Sequence, residues 1–184
     1  KIAAYELMWD ALLAACAETG KPVILSTGMA TIPEIKHAAE VLRRHDAREV
    51  TLLHTVSAYP TPPEEANLAA MKTIADATGF ACGWSDHTVS PAVILRAVGH
   101  WRAPMVEFHL DLDKTGSEYA AGHCWLPEEM APVIAIVRAG ERADGTGVKE
   151  PLPPELPDRD WRADPSDGLR PLKHIRRTWR PEAA

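Results

Sequence analysis

A parallel α/β fold is what this sequence predicts, on three observations. Short apolar, β-branched runs alternate with longer amphipathic stretches from Pro22 to about Arg142, a pattern that calls for parallel strands joined by helical crossovers. Each short run ends on a polar or ligand-type side chain. The composition, 46% hydrophobic and 25% charged over 184 residues, is that of a folded domain able to bury a core.

The elements follow in order. A helix is predicted from Leu7 to Glu18. Val23-Ile24-Leu25-Ser26-Thr27, flanked by Gly20 and Gly28, is a buried strand. Thr31 stands three residues before Glu34 with Pro33 between them, a capping box with proline in the first turn. It opens a helix to about His45, striped by Ile35, Ala38, Ala39 and Leu42. Val50 to His54 is the next strand, Tyr59 to Pro63 a loop, and Glu64 to about Thr78 a helix. Phe80 to Trp84 and Met105 to Leu110 are strands. Pro91 to about His100 is a helix, and after a polar loop Pro127 to about Arg142 is another. From 146 to 184 the prolines and arginines predict an extended tail, so the α/β domain is expected over 1–145.

Charge and cysteine usage narrow the function classes. A net charge of −6 argues against a nucleic-acid face, which must be basic. Cys16, Cys82 and Cys124 are odd in number and irregularly spaced, without a CxxC pair. They predict buried free thiols in a reducing cytoplasm rather than a disulfide frame. No apolar run approaches the ~20 residues that cross a bilayer. The chain opens on Lys1 instead of methionine, directly on an apolar stretch, which suggests a longer parent sequence.

Chemistry collects at the strand ends: Ser26, His54, Ser85-Asp86-His87, then Glu107 and His109. In parallel α/β folds the carboxyl ends share one face, so these side chains surround one mouth. One strand-end histidine is ordinarily a hydrogen-bonded rim residue; three at equivalent positions point to a site. Ser26-Thr27-Gly28 is either a turn or a set of donors for a phosphate. Asp86 either orients His87 or caps the next helix. His37, His45, His100 and His174 read as surface residues, and Trp9, Trp101, Trp161 and Trp179 as packing.

Several segments occur in a telling order: Lys1-Ile-Ala3, Lys21 to Met29, Leu53-His54, Tyr59-Pro-Thr-Pro62, Asn67-Leu68, Ser85-Asp-His-Thr88 and Glu107-Phe-His109. Together, over roughly residues 1 to 140, they resemble the sialic acid synthase family. The resemblance implies the C-terminal half of a TIM-type (β/α)8 barrel, about strands five to eight, followed by the tail. Lys1 would sit on strand five. It also implies condensation of phosphoenolpyruvate with an N-acetylhexosamine, phosphate leaving and a nine-carbon 2-keto sugar acid forming.

Carried over residue by residue, the resemblance makes His87 and His109 ligands of a divalent metal, Mn2+ or else Mg2+. Lys1, Ser26 and Ser85 match the residues that bind the phosphate. Ser57 and Tyr59 lie on the sugar side, and Glu6, Tyr59 and Glu107 fall among the catalytic residues. Ala4, Thr55, Ser57 and Phe108 depart from the usual pattern, standing where the family has a serine, a cysteine, an asparagine and a basic residue. Gly116 to Trp125 replaces the usual Gly-Pro-Asp loop, with Glu118 and His123 as its candidates for sugar contact. The antifreeze-like domain of the family is not matched by the tail. Partners implied are the two substrates and, because a half-barrel alone exposes sheet edges, a second copy in a homodimer. Another phosphate-handling barrel lyase or aldolase, and a non-catalytic family-derived binding protein, are the alternatives.

Overall fold

Parallel pairing dominates the computed structural model, which describes residues 1–178. Five strands lie in sequence order: β1 (Val23–Ser26), β2 (Val50–His54), β3 (Ala81–Asp86), β4 (Val106–Leu110) and β5 (Cys124–Trp125). Every neighbouring pair is parallel. Each connection up to β4 carries a helix, α2 (Ile32–Arg44), α3 (Ala70–Thr78) and α4 (Pro91–Gly99), and the sheet is half of a (β/α)8 barrel wall. Ile2 bridges Leu25 in parallel, so the first residues border β1 on its free side. α1 (Asp10–Glu18) leads into β1, and α6 (Pro127–Ala143) follows β5.

The helices form where expected because their caps are encoded locally. The Glu34 carboxylate accepts the Thr31 N–H at 2.7 Å and its hydroxyl at 2.8 Å, fixing the start of α2. Gly79, in the left-handed region at φ 71°, closes α3 by donating its N–H to the Ala75 carbonyl, as a glycine after a helix does. The helix expected from Glu64 is shorter than the sequence pattern suggests. Pro63–Glu65 makes one 3-10 turn, Asn67 then takes φ 45°, and α3 starts only at Ala70. Two elements lie inside the expected polar loop, the one-turn helix α5 (Ser117–Ala120) and β5.

Two apolar clusters fill the helix side of the sheet. The larger joins Leu13, Leu25, Leu42, Leu52, Ile74 and Trp84; the smaller joins Ile94, Trp125, Met130 and Val133. Between them lies Asp86, fully buried. Its carboxylate accepts the indole N–H of Trp84 at 3.0 Å and of Trp125 at 2.9 Å, the Thr88 hydroxyl at 2.7 Å, and the N–H groups of Thr88 and Val89. His54 is also buried, stacked at a tilt on Trp84 and bonded through Nε2 to the Ala66 carbonyl at 3.0 Å.

The expected surface histidines stand where they were read. His37 pairs with Asp10 and His45 with Glu18, clasping α1 to α2 from outside. Trp101 packs on the larger core, but Trp9 is mostly exposed and Trp161 nearly half exposed, and Trp179 lies outside the described residues. The chain divides into two units, Lys1–Ala143 and Asp144–Ala184. Within the second, 3-10 turns at Pro153–Glu155 and Pro157–Trp161 precede α7 (Lys173–Thr178), and Arg176 pairs with Asp167 at 2.6 Å. Among the described residues no helix is long and apolar enough to cross a membrane.

Two outcomes test this packing. Asp86→Ala strands two buried indole N–H groups, each worth ~1–3 kcal/mol, so chemical unfolding should show a loss of about 3 kcal/mol or more. Burial holds the His54 imidazole below the ordinary histidine value against two carbonyl hydrogen bonds. The unfolded chain therefore takes up this proton first as pH falls through ~6.5. Stability should drop over that range, and His54→Gln should flatten the urea-midpoint profile.

Candidate functional site

Successive strand residues point to opposite faces. Leu25, Leu52, Trp84, Val106 and Phe108 pack on the helix side, which leaves Ser26, Thr55, Ser85, His87, Glu107 and His109 for the inner face. The apolar Phe108 is thereby explained, since its side chain belongs to the helix layer and not to the mouth.

Three polar groups meet first. Ser85 and Glu107 are direct register partners on β3 and β4, and the Ser85 hydroxyl donates to Glu107 Oε2 at 2.5 Å. Lys1 Nζ stands 3.3 Å from Glu107 Oε1. Burial opposes ionisation of Glu107, but the Ser85 hydroxyl and the Lys1 ammonium outweigh it and hold the carboxyl below its ordinary value.

Three imidazoles and a phenol gather beside this trio. The His87 and His109 ring centroids are 5.2 Å apart, and His123 lies 5.1 Å beyond His109. Tyr59 covers them, 4.2 Å from His87 and 5.0 Å from His123. His87 is buried and donates through Nδ1 to the Val56 carbonyl at 2.7 Å, with the Thr55 hydroxyl 3.4 Å away. The hydrogen bond to Val56 fixes the tautomer and leaves Nε2 with its lone pair, the usual preparation of a metal-binding histidine. Burial pushes the His87 imidazole below the ordinary value, so the neutral, ligating form prevails. Asp86 does not orient it, because that carboxylate is spent on the two indoles and the turn into α4.

The segment after β4 brings further donors. Glu118 Oε2 accepts from His109 Nδ1 at 2.9 Å and lies 4.0 Å from His123 Nε2 and 3.9 Å from Cys124 Sγ. The His109 hydrogen bond and charge draw the Glu118 carboxyl down, while burial and the Glu118 charge raise the Cys124 thiol. Cys124 was expected only as a buried thiol, and Thr55 only as a departure from a pattern. The place of Cys124 depends on pairing between β4 and β5, where it is the partner of His109, and that of Thr55 on the neighbouring end of β3, where its hydroxyl donates to the Ser85 carbonyl; the spacing Glu118-x4-His123-Cys124 was the one signal in sequence.

Not every expected site residue joins this group. Glu6 lies in a 3-10 turn, and no hydrogen bond or ion pair links it to the histidines among the described residues. The Ser26 and Ser57 hydroxyls are buried without a hydrogen-bond partner. Ser57 borders a cavity of about 700 Å3 that Thr27, Thr31, His54 and Asn67 also line. Gly28 sits so close beneath Ser57 and Thr55 that an added Cβ would collide with both.

Known proteins resemble this chain in sequence and in fold. The sequence matches the NeuB family over residues 1–149. It is 42% identical over 159 residues to an uncharacterised protein of Methanocaldococcus jannaschii, covering 84% of this chain and 46% of that protein. It is 35% identical over 150 residues to the N,N'-diacetyllegionaminic acid synthase of Legionella pneumophila, covering 78% and 41%. Among solved structures, the N-acetylneuraminic acid synthetase of Leptospira borgpetersenii in complex with citrate superposes with a TM-score of 0.72 at 31% identity, covering 85% of this chain and 54% of that one. The chain thus spans less than half the length of the curated relatives it matches.

Gly28→Ala forces Thr55 and Ser57 aside, and overpacking of this kind costs ~1–3 kcal/mol. The variant should unfold at lower denaturant, with shifted NMR signals at Ser57 and His87. Unchanged spectra would mean that the loop does not press on the site.

Proposed function

Because this chain belongs to the NeuB family, we propose that the whole protein condenses phosphoenolpyruvate with an N-acetylhexosamine. The product is a nine-carbon 2-keto sugar acid, of the class made in sialic acid biosynthesis, and phosphate is released. The observation that carries this reading is the juxtaposition, on one inner face, of the Lys1–Glu107–Ser85 trio and the His87–His109 pair. The synthase names of the relatives support it, as does the superposition on a sialic acid synthetase.

Each residue has work suited to its chemistry. Lys1 and Ser85, which now hold the Glu107 carboxylate, are a cation and a hydroxyl fit for a phosphate. Ser26, with its unpartnered hydroxyl, completes that set. His87 and His109 fit a divalent metal, because His87 offers Nε2 after committing Nδ1 to Val56. Mn2+, or Mg2+ in its place, would supply Lewis-acid polarisation of the sugar aldehyde when bound. Tyr59, over half of whose surface is covered, and Ser57 border the sugar side.

The bond that forms joins the enol carbon of phosphoenolpyruvate to the aldehyde carbon, as the enol and carbonyl π bonds open and the aldehyde oxygen takes up a proton. Water then adds to the former enol ester carbon, and its C–O bond to phosphate breaks. Glu107, kept ionised by its neighbours, is the base placed to accept the proton of that water. Glu6 takes a supporting place at the rim. A homodimer in the cytoplasm belongs to the same reading. It is supported by the three unbridged thiols and by exposed Tyr5, Met8, Leu110 and Leu112, apolar surface of the kind that associations cover.

The test is phosphate release by the intact protein with phosphoenolpyruvate, Mn2+ and a panel of N-acetylhexosamines. Release should require both sugar and metal, and His87→Ala and His109→Ala should each lower kcat/KM by ~100-fold or more. Folded, metal-loaded protein that releases none with any sugar would remove the synthase reading. Sugar cleavage without phosphate release would favour an aldolase.

A further inference from the structure

Glu118 stands between three other potential ligands, and the group they form is not the His87–His109 pair. One ligand atom from each of His109, Glu118, His123 and Cys124 lies within 4.8 Å of every other. The protein builds this group with care. Asp111 ties the loop by accepting the N–H groups of Asp113, Lys114 and Gly116. α5 then lifts Glu118 over β4, and Gly122, in the left-handed region at φ 89°, turns the chain back. Pairing of β5 with β4 sets Cys124 directly beside His109.

His123 supplies an independent sign of a missing ligand. It is only 5% exposed, and its Nδ1 is buried with no hydrogen-bond partner. Its Nε2 stands 4.0 Å from Glu118 Oε2, beyond hydrogen-bond reach. A buried imidazole has a donor and an acceptor to satisfy, and orphaned buried polar atoms call for an explanation. Neither ring nitrogen of this buried side chain makes a hydrogen bond, and a cation between Nε2, Glu118 and the other two donors would give the imidazole its one polar partner.

We propose that His109, Glu118, His123 and Cys124 form a closed four-ligand site for a borderline-soft divalent cation of the Zn2+ class. Two imidazoles, a thiolate and a carboxylate are the donors such an ion selects, whereas a hard ion such as Mg2+ takes oxygens and water. Bonds of about 2.0–2.3 Å set tetrahedral donors about 3.3–3.8 Å apart. Glu118 already lies 3.9 Å from Cys124 and 4.0 Å from His123, so small side-chain rotations close the shell. Four protein ligands leave no position for a substrate. This ion pins the segment after β4 and takes His109 through Nδ1, the nitrogen that faces Glu118, so the proposed synthase site shares this imidazole only through its other nitrogen. The inference rests on that reading only in this shared histidine.

The experiment uses the intact protein, stripped of metal and titrated with Co2+ as a spectroscopic substitute, then with Zn2+. Stoichiometric Co2+ should produce a near-ultraviolet sulfur-to-cobalt charge-transfer band that Zn2+ abolishes. Cys124→Ser should remove the band, and Glu118→Gln and His123→Gln should each weaken Zn2+ binding at least ~10-fold. His87→Ala should leave the band and the Zn2+ affinity in place. A wild-type protein that binds Co2+ without the sulfur band, or loses Zn2+ on His87→Ala, overturns the proposal and assigns the ion to the His87–His109 pair. Phosphate release by the same preparation with Mn2+ separates the two ideas. Release without the band defeats this site alone, and the band without release defeats the synthase reading alone.

Discussion

The Asp86 carboxylate is the constraint on which the carboxyl end of this sheet depends. A charge buried so completely costs several kcal/mol unless donors replace its water. Here five donors do so: two indoles, a hydroxyl and two backbone N–H groups. Because the donors come from β3, β5 and the turn into α4, satisfying one carboxylate fixes all three elements together. β5 is only two residues long, too short to hold its place by ladder bonds alone, and the Trp125 indole gives it an anchor. His123 and Cys124 owe their positions to that anchor, although neither touches Asp86.

Around this point the sheet keeps two faces of opposite chemistry. The helix face is apolar, from Leu25 through Trp84 to Phe108. The inner face carries Ser26, Ser85, His87, Glu107 and His109. Because strand side chains alternate with period two, a slip of one residue in any strand would exchange the faces and bury the charged set in the core. Register and site are therefore one specification. Gly83 contributes to it, since an added Cβ would strike the Met105 carbonyl and hold β3 away from the strand that carries Glu107.

Much of this was legible in the sequence where the signal is local. Alternation located β1 to β4, Thr31 and Glu34 marked the start of α2, and strand-end polar residues picked out His87, Glu107 and His109. What escaped depends on residues far apart or on single backbone angles. The break at Asn67 is one dihedral inside an otherwise helical pattern. β5 offers two residues, too few for any periodicity. The role of Asp86 requires Trp125, 39 positions away, and local reasoning offered only the neighbouring His87 or the cap of the next helix. Cys124 looked inert because its ligand-like neighbours, His109 and Glu118, approach it only through strand pairing and a turn.

The two central histidines differ in what holds them, and the difference bears on how such a site can change. His87 is oriented by a main-chain carbonyl, Val56, on the adjacent strand's exit. No single side-chain substitution removes that acceptor, so the His87 tautomer is set by the fold itself. His109 is oriented by the Glu118 side chain, which belongs to the segment after β4. Any rebuilding of that segment resets the partner of His109 while leaving His87 as it was. A mouth with one imidazole fixed by backbone and the other governed by a replaceable loop can keep half of its geometry while the other half changes. The departures between Gly116 and Trp125 fall on the replaceable half, where change is least costly to the fold.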